Sequence, residues 1–256
     1  MPSEASVVGL GADDLIDKLA AAPTPAARFQ ALATGLSRIG LDTINYGFFD
    51  ARAAEMASAD IQFMTTMSDD WMRYYFGQSL AATDAHVVRV KARKITPYIW
   101  GERQILGLEC KNEQVTALTA ADAGLCSALC VPMTSPLDPF TPVGGITLGS
   151  SLGEREFKQI LAEHGATLLS IAYLFHNASI RQLWSERAGG PLLSIRERDC
   201  LQYLADGKRQ DSIAHAMGLA RVTVEMHLGR ARQKLSARTL NEAIAKAMVM
   251  GEIRKG

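Results

Sequence analysis

The sequence predicts an α/β sandwich, layered α-β-α, followed by a small all-α helix-turn-helix domain. Three observations carry that reading. Helical and strand-like periodicities alternate over residues 1–186. The run RAGGP at 187–191 then breaks the pattern, because its two glycines free the backbone and its proline bars helix in the residue before it. From 192 to 256 only short helical patterns with capping and stop residues follow. Residues 187–191 are therefore the expected linker between the two domains.

The first domain opens with Leu15, Leu19, Phe29, Leu32 and Leu36 at helical spacing, interrupted near Pro23 and Pro25. Strand-like runs are expected at Thr43–Phe49, Ile61–Thr66, Leu125–Met133 and Gly144–Gly149, with helices at Asp69–Phe76 and Asp84–Arg93 between them. A long amphipathic helix, Glu154–Trp184, carries Phe157, Ile160, Leu161, Leu168, Ile171, Ala172 and Phe175 at three- and four-residue steps. Its apolar face serves either its own sheet or a second copy of the chain. No internal repeat, low-complexity tract or phosphate-binding glycine loop is present.

Net charge is zero, with 27 basic and 27 acidic residues, but its distribution is uneven. From Gly190 onward 12 Lys and Arg stand against 7 Asp and Glu, a surplus of five positive charges, and the first 189 residues hold the matching acidic surplus. No run of 18 apolar residues occurs, and the start MPSEASVV lacks the basic-then-apolar pattern of a secretion signal. Cys110, Cys126, Cys130 and Cys200 show neither paired nor metal-ligand spacing, so no metal site is expected and a reducing cytoplasm suits them. Cys126 and Cys130, in an apolar run, read as packing residues.

In the tail, Ser194 and Glu197 form a capping box that starts a helix running to Gly207. A second helix, Gln210–Met217, stops at Gly218. A third is expected to begin at Thr223, capped by its hydroxyl, with Val224, Leu228, Ala231 and Leu235 inward and Glu225, Gly229, Arg230, Gln233 and Lys234 largely outward. Two short helices joined by a glycine turn make a helix-turn-helix, whose second helix fits the B-DNA major groove. Lys208, Arg209, Arg221, Arg230 and Lys234 are the expected phosphate contacts, and Thr223, Glu225 and Gln233 the expected base readers.

The tail resembles the LuxR-type DNA-binding domain over nearly its whole length. The resemblance rests on Leu193, Ser194, Arg196, Glu197 and Arg198, then Ala205 and Gly207, Ile213 and Ala214, Thr223, Val224 and His227, Lys234 and Leu235, and a closing helix ending at Gly251. It makes His227 a helix-packing residue. Leu240 replaces the family's usual Arg, and Glu225 adds an acid to the groove-facing surface.

Upstream, Trp71, Tyr75 four residues on, Asp84 thirteen after the Trp, and Trp100 resemble the autoinducer-binding domain of LuxR-type receptors. Trp100 lies one residue farther along than usual, Ala85 replaces a common Pro, Ala128 a common Gly, and Met67 a pocket Tyr. The resemblance implies a small-molecule signal, an acyl-homoserine lactone or, in a receptor without its own synthase, a non-acyl or non-lactone compound, and no cofactor. Trp71 would donate its indole N–H to the ring carbonyl and Asp84 would accept the amide N–H. Tyr75 and Trp100 would form walls, and Thr147 would bond the acyl carbonyl. Asp84 has a second possible role as the N-cap of the helix that follows it. An enzyme using His86, His164 and Glu163 as acid-base groups is the rival reading, but these residues form no spaced constellation. The resemblance also implies a homodimer on an inverted-repeat operator, because such an operator mirrors a protein two-fold.

The basic tail generates a prediction. The segment Gly190–Gly256 should bind duplex DNA more weakly as salt rises, since each neutralised phosphate releases counterions. Anisotropy titrations at about 50 and 200 mM salt test this, and equal affinity at both would contradict the assignment.

Overall fold

In the computed structural model, which describes residues 11–48, 62–101, 107, 111–135, 138–187 and 193–254, the strand-like runs pair into one antiparallel sheet. Its order is β2-β1-β5-β4-β3, with β1 at Thr43–Phe48, β2 at Gln62–Thr65, β3 at Tyr98–Trp100, β4 at Ser127–Ser135 and β5 at Asp138–Ser150. Successive side chains on a strand point to opposite faces, and here the two faces differ in size. Ile44, Tyr46 and Phe48 of β1 share one face with Val131 and Met133 of β4 and Ile146 and Leu148 of β5, all buried. The other face carries Asn45 and Gly47, Ala128 and Cys130, and Gly145, Thr147 and Gly149.

Large side chains call for a helical cover, and α1 (Ala12–Ala21), α2 (Pro25–Ser37) and α6 (Glu154–Arg187) supply it. Leu15, Leu19, Phe29, Leu32 and Leu36 are buried there together with Phe157, Leu168, Ile171 and Phe175. The Phe175 ring meets Tyr46 edge-on at 5.1 Å and Phe29 at 6.2 Å. Thr24 starts α2 by accepting the Ala27 N–H, with Pro25 at the first helical position, where its missing N–H costs nothing. On the small-residue face lie α3 (Asp69–Gly77), a 3-10 turn at Leu80–Ala82, α4 (Ala85–Lys91) and α5 (Lys111–Asp122).

The chain divides into two compact units, Met1–Ser179 and Ile180–Gly256, with the division inside α6. The linker expected at 187–191 lies outside the described residues except Arg187, where α6 ends; Phe49, Ile61 and Cys110 lie outside them too. Two elements were not expected from the pattern, β3 and α5. In α5 the bulky Val115 and Leu118 face outward while Thr116, Ala117 and Ala120 are buried, which reverses the usual amphipathic signal.

The second unit contains α7 (Ile195–Ala205), α8 (Gln210–Met217), α9 (Arg221–Lys234) and α10 (Leu240–Val249) around Leu193, Cys200, Leu201, Ile213, Val224, Leu228, Leu235 and Ala247. The Ser194–Glu197 capping box is formed in both directions. Gly218 ends α8 at φ 64, a left-handed conformation natural to glycine. Thr223 does not cap the third helix: α9 starts two residues earlier, because the Ala220 carbonyl already accepts the N–H groups of Thr223 and Val224. Thr223 therefore lies within the first turn.

One buried polar chain crosses the first core. His176 donates from Nε2 to the Thr134 carbonyl at 2.9 Å, leaving Nδ1 to accept the Tyr46 hydroxyl at 2.9 Å. Burial pulls the His176 pKa down to about 4, opposed by the Thr134 bond. A histidine neutral when folded and ordinary when unfolded takes up its proton first in the unfolded chain as pH falls. Stability should thus be full above about 6.5 and decline toward 4, by roughly 3 kcal/mol. Urea melts of the parent should show this decline. His176→Gln, less stable at neutral pH, should show a shallower one, and an unchanged slope would rule out His176 as its source.

Candidate functional site

Between the small-residue face of the sheet and helices α3, α4 and α5 lies an open-mouthed cavity, about 1120 Å³ when the solvent space at its mouth is included. It exists because alternate positions of β1, β4 and β5 carry glycine, alanine, cysteine, threonine or asparagine rather than bulky groups. The sequence-predicted residues Met67, Trp71, Tyr75, Asp84, Trp100 and Thr147 all line it.

Local structure fixes each of them. Ser68 caps α3 by accepting the Trp71 N–H at 3.2 Å, and one turn later Tyr75 lies on the same side, its ring 6.3 Å from the indole. The Trp71 indole N–H meets no acceptor among the described residues. Asp84 is both cap and cavity wall: Oδ1 accepts the N–H groups of His86 at 2.8 Å and Val87 at 3.2 Å, while Oδ2 accepts the Tyr75 hydroxyl at 3.0 Å. Burial, followed by the Asp84 charge and this hydrogen bond, pushes the Tyr75 pKa above its usual value. Trp100 is buried beside its register partner Ala128. Thr147 lies opposite Asn45 and Cys130, its hydroxyl 3.9 Å from the Cys130 sulfur. The Met67 sulfur accepts from the Asn45 amide at 3.5 Å.

Sequence reasoning missed Asn45 and Tyr98 and gave His86 a different part. Tyr98 lies two residues from Trp100 and His86 two from Asp84, while Asn45 stands opposite Thr147 across the β1–β5 pair, so strand periodicity was the available signal for Tyr98 and strand pairing for Asn45. His86 Nδ1 is 3.4 Å from the Tyr98 hydroxyl, and Arg89 lies 4.2 Å over the Tyr98 ring. Burial, against the pull of Asp84, lowers the His86 pKa to about 4 and keeps the imidazole neutral. His164 and Glu163 are 3.5 Å apart on α6 and do not line the cavity.

In the second unit, α8, the Gly218 turn and α9 form the helix-turn-helix. Lys208 and Arg209 are exposed before α8, and Lys208 also lies 4.5 Å over the Tyr203 ring. Arg230 and Gln233 are exposed on α9. Two of the expected phosphate contacts are held by acids instead. Arg221 lies 3.1 Å from Asp211 and 3.0 Å from Glu225, and Lys234 lies 2.7 Å from the buried Glu197 carboxylate. Burial alone would raise the Glu197 pKa, but Lys234 and the Ser194 bonds hold it below its usual value.

A mostly apolar cavity with a few fixed polar groups, followed by a helix-turn-helix, defines a DNA-binding regulator that answers a small molecule. Comparison with known proteins gives the same class. Residues 24–179 match the autoinducer binding domain family, and residues 191–247 match the bacterial regulatory proteins of the luxR family. The chain belongs to the LuxR family of transcription regulators.

Relatives include the transcriptional activator protein CarR of Pectobacterium carotovorum subsp. carotovorum, 23% identical over 186 residues, covering 70% of this chain and 74% of that protein. The transcriptional activator protein AhyR of Aeromonas hydrophila is 25% identical over 223 residues, covering 83% of each. Among solved structures, the N-acylhomoserine lactone dependent factor CepR2 from Burkholderia cenocepacia superposes with a TM-score of 0.53 at 20% identity, covering 67% of this chain and 95% of that one. Escherichia coli SdiA superposes at 0.52 and 16%, covering 94% and 97%. These likenesses agree in fold. Among the described residues no helix is long and apolar enough to cross a membrane.

One wall of the cavity is set by a single close approach. A Cβ at Gly145 would fall 1.8 Å from His86 Nε2, so the imidazole occupies the space a side chain there would need. Gly145→Ala should therefore destabilise the protein by about 1–3 kcal/mol, and adding His86→Ala should recover most of the loss. Equal losses in the single and double variants, measured by thermal melting, would show that the two positions do not compete.

Proposed function

We propose that the cavity binds an N-acyl-homoserine lactone or a close analogue, and that occupancy governs DNA binding by the tail. The observation that carries this is the meeting of an indole donor on Trp71, without an acceptor among the described residues, with the Asp84 carboxylate in a mostly apolar enclosure. Such a signal offers a ring carbonyl to Trp71, an amide N–H to Asp84 Oδ2 and an acyl carbonyl to Thr147, while Tyr75 and Trp100 flank it. Binding and release suffice for this role, and no bond of the ligand needs to be broken. The ligand-binding domain is taken to extend to residue 186 and the DNA-binding domain to begin at 192.

The regulator acts as a homodimer on an inverted-repeat operator, since one recognition helix spans too few base pairs for selectivity. It works in the bacterial cytoplasm, where the chromosome lies. Lys208, Arg209 and Arg230 hold phosphates, joined by Arg221 and Lys234 to the extent that their acidic partners release them. Thr223, Glu225 and Gln233 border the groove.

A second reading replaces the lactone with another acyl compound. It is favoured by Met67, whose sulfur is engaged by Asn45 and offers a ligand carbonyl no hydroxyl. Melting the protein with a panel of lactones and acylglycerols distinguishes the two, because a ligand of the folded state raises the midpoint.

Asp84 gives the sharper test. Asp84→Ala should weaken binding of the stabilising lactone by roughly ten- to a hundredfold and, by removing the cap of α4, lower stability by about 1 kcal/mol. Asp84→Asn keeps an acceptor and should retain part of both. Calorimetry that finds Asp84→Ala binding as tightly as the parent, with only stability reduced, would confine Asp84 to its capping role.

A further inference from the structure

The recognition helix turns an apolar pair outward. Along α9, Val222, Met226, Gly229 and Gln233 follow at steps of four, three and four residues, one stripe of a helix. This stripe lies opposite the buried one formed by Val224, Leu228, Ala231 and Leu235. Val222 is 70% exposed and Met226 42%. The charged residues lie to either side, Arg221 and Glu225 on one flank and Arg230 on the other. Of the expected base readers, Thr223 and Glu225 are thus off the centre line of the face, while Gln233 shares that line with Val222 and Met226.

Arg221 is poorly placed to read guanine, because both edges of its guanidinium are taken by Asp211 and Glu225. The apolar pair belongs to the DNA-facing helix of a helix-turn-helix and has Arg230 beside it on that helix, while Lys208 and Arg209 precede α8, whose Asp211 meets Arg221; Arg209 and Arg230 meet no carboxylate among the described residues. That surround suits a phosphate-lined groove. Among the four bases only thymine presents a methyl group on its major-groove edge.

We propose that Val222 and Met226 read thymine, packing their side chains on the C5-methyl groups of A·T pairs while the flanking cations hold the phosphates. The inference rests on the tail's role as a DNA-binding domain. It makes apolar contact, rather than an arginine-to-guanine hydrogen bond, the source of discrimination at the N-terminal half of the helix.

The experiment begins by selecting operators from duplexes with a randomised centre. It uses the full-length protein, alone and with each member of the lactone panel. In the selected operator each thymine is then replaced by uracil, which removes only the methyl group. The parent should bind about three- to fourfold more weakly for each contacted methyl lost. The double variant Val222→Ala, Met226→Ala should bind the thymine operator several-fold more weakly than the parent and be indifferent to uracil. Both positions are exposed, so its melting temperature should stay near the parent's. If an operator is selected and the parent binds its uracil form as tightly, or the double variant binds like the parent, the inference is overturned while the DNA-binding reading stands. If no sequence is enriched under any condition, both fail.

Discussion

The alternation along β1, β4 and β5 puts Ile44, Tyr46, Val131, Ile146 and Leu148 on one face of the sheet and Asn45, Gly47, Cys130, Gly145 and Thr147 on the other, and the first unit is organised by that division. The large face needs helices packed directly upon it, and α1, α2 and α6 fill that need with leucine and phenylalanine. The small face cannot fill the space beneath its own helices. A one-residue slip in the β1–β5 register would exchange the faces and close the cavity with tyrosine and leucine. Space for a ligand is thus specified by the same period of two that specifies the core.

Polar groups around that space are anchored by structural duties. Asp84 begins α4 with one oxygen and faces Tyr75 with the other. Ser68 begins α3 and thereby fixes Trp71. A side chain whose backbone is held by a cap loses little further freedom when it takes a ligand, so recognition starts from an ordered site. The second unit repeats the device with Glu197, which closes the cap of α7 and reaches Lys234 at the end of α9, tying the frame of the helix-turn-helix to its recognition helix.

Much of this was legible in the sequence. The period of two gave the strands, the period of 3.6 gave α1, α2, α6 and the tail helices, and the spacing of Trp71, Tyr75 and Asp84 resembled the family's pocket. What escaped did so for separate physical reasons. The helix α5 buries alanine and threonine and exposes valine and leucine, so hydrophobicity pointed the wrong way. The strand β3 is three residues long, too short for a pattern. Thr223 has the chemistry of a cap, but the Ala220 carbonyl, three residues earlier, had already started the helix. Val222 and Met226 were passed over because apolar residues are read as interior by default, and only the helix axis reveals that they face out.

The close approach of His86 to Gly145 links two residues 59 positions apart in the chain, since the imidazole stands where a side chain on the strand would go. They behave as one adjustable element of the cavity wall. A lineage that came to recognise a differently shaped signal by placing a side chain at 145 would have to shrink 86 first, because the opposite order passes through an overfilled intermediate. The accessible histories of this pocket are therefore ordered, and the present glycine keeps the histidine in place as much as the histidine keeps the glycine.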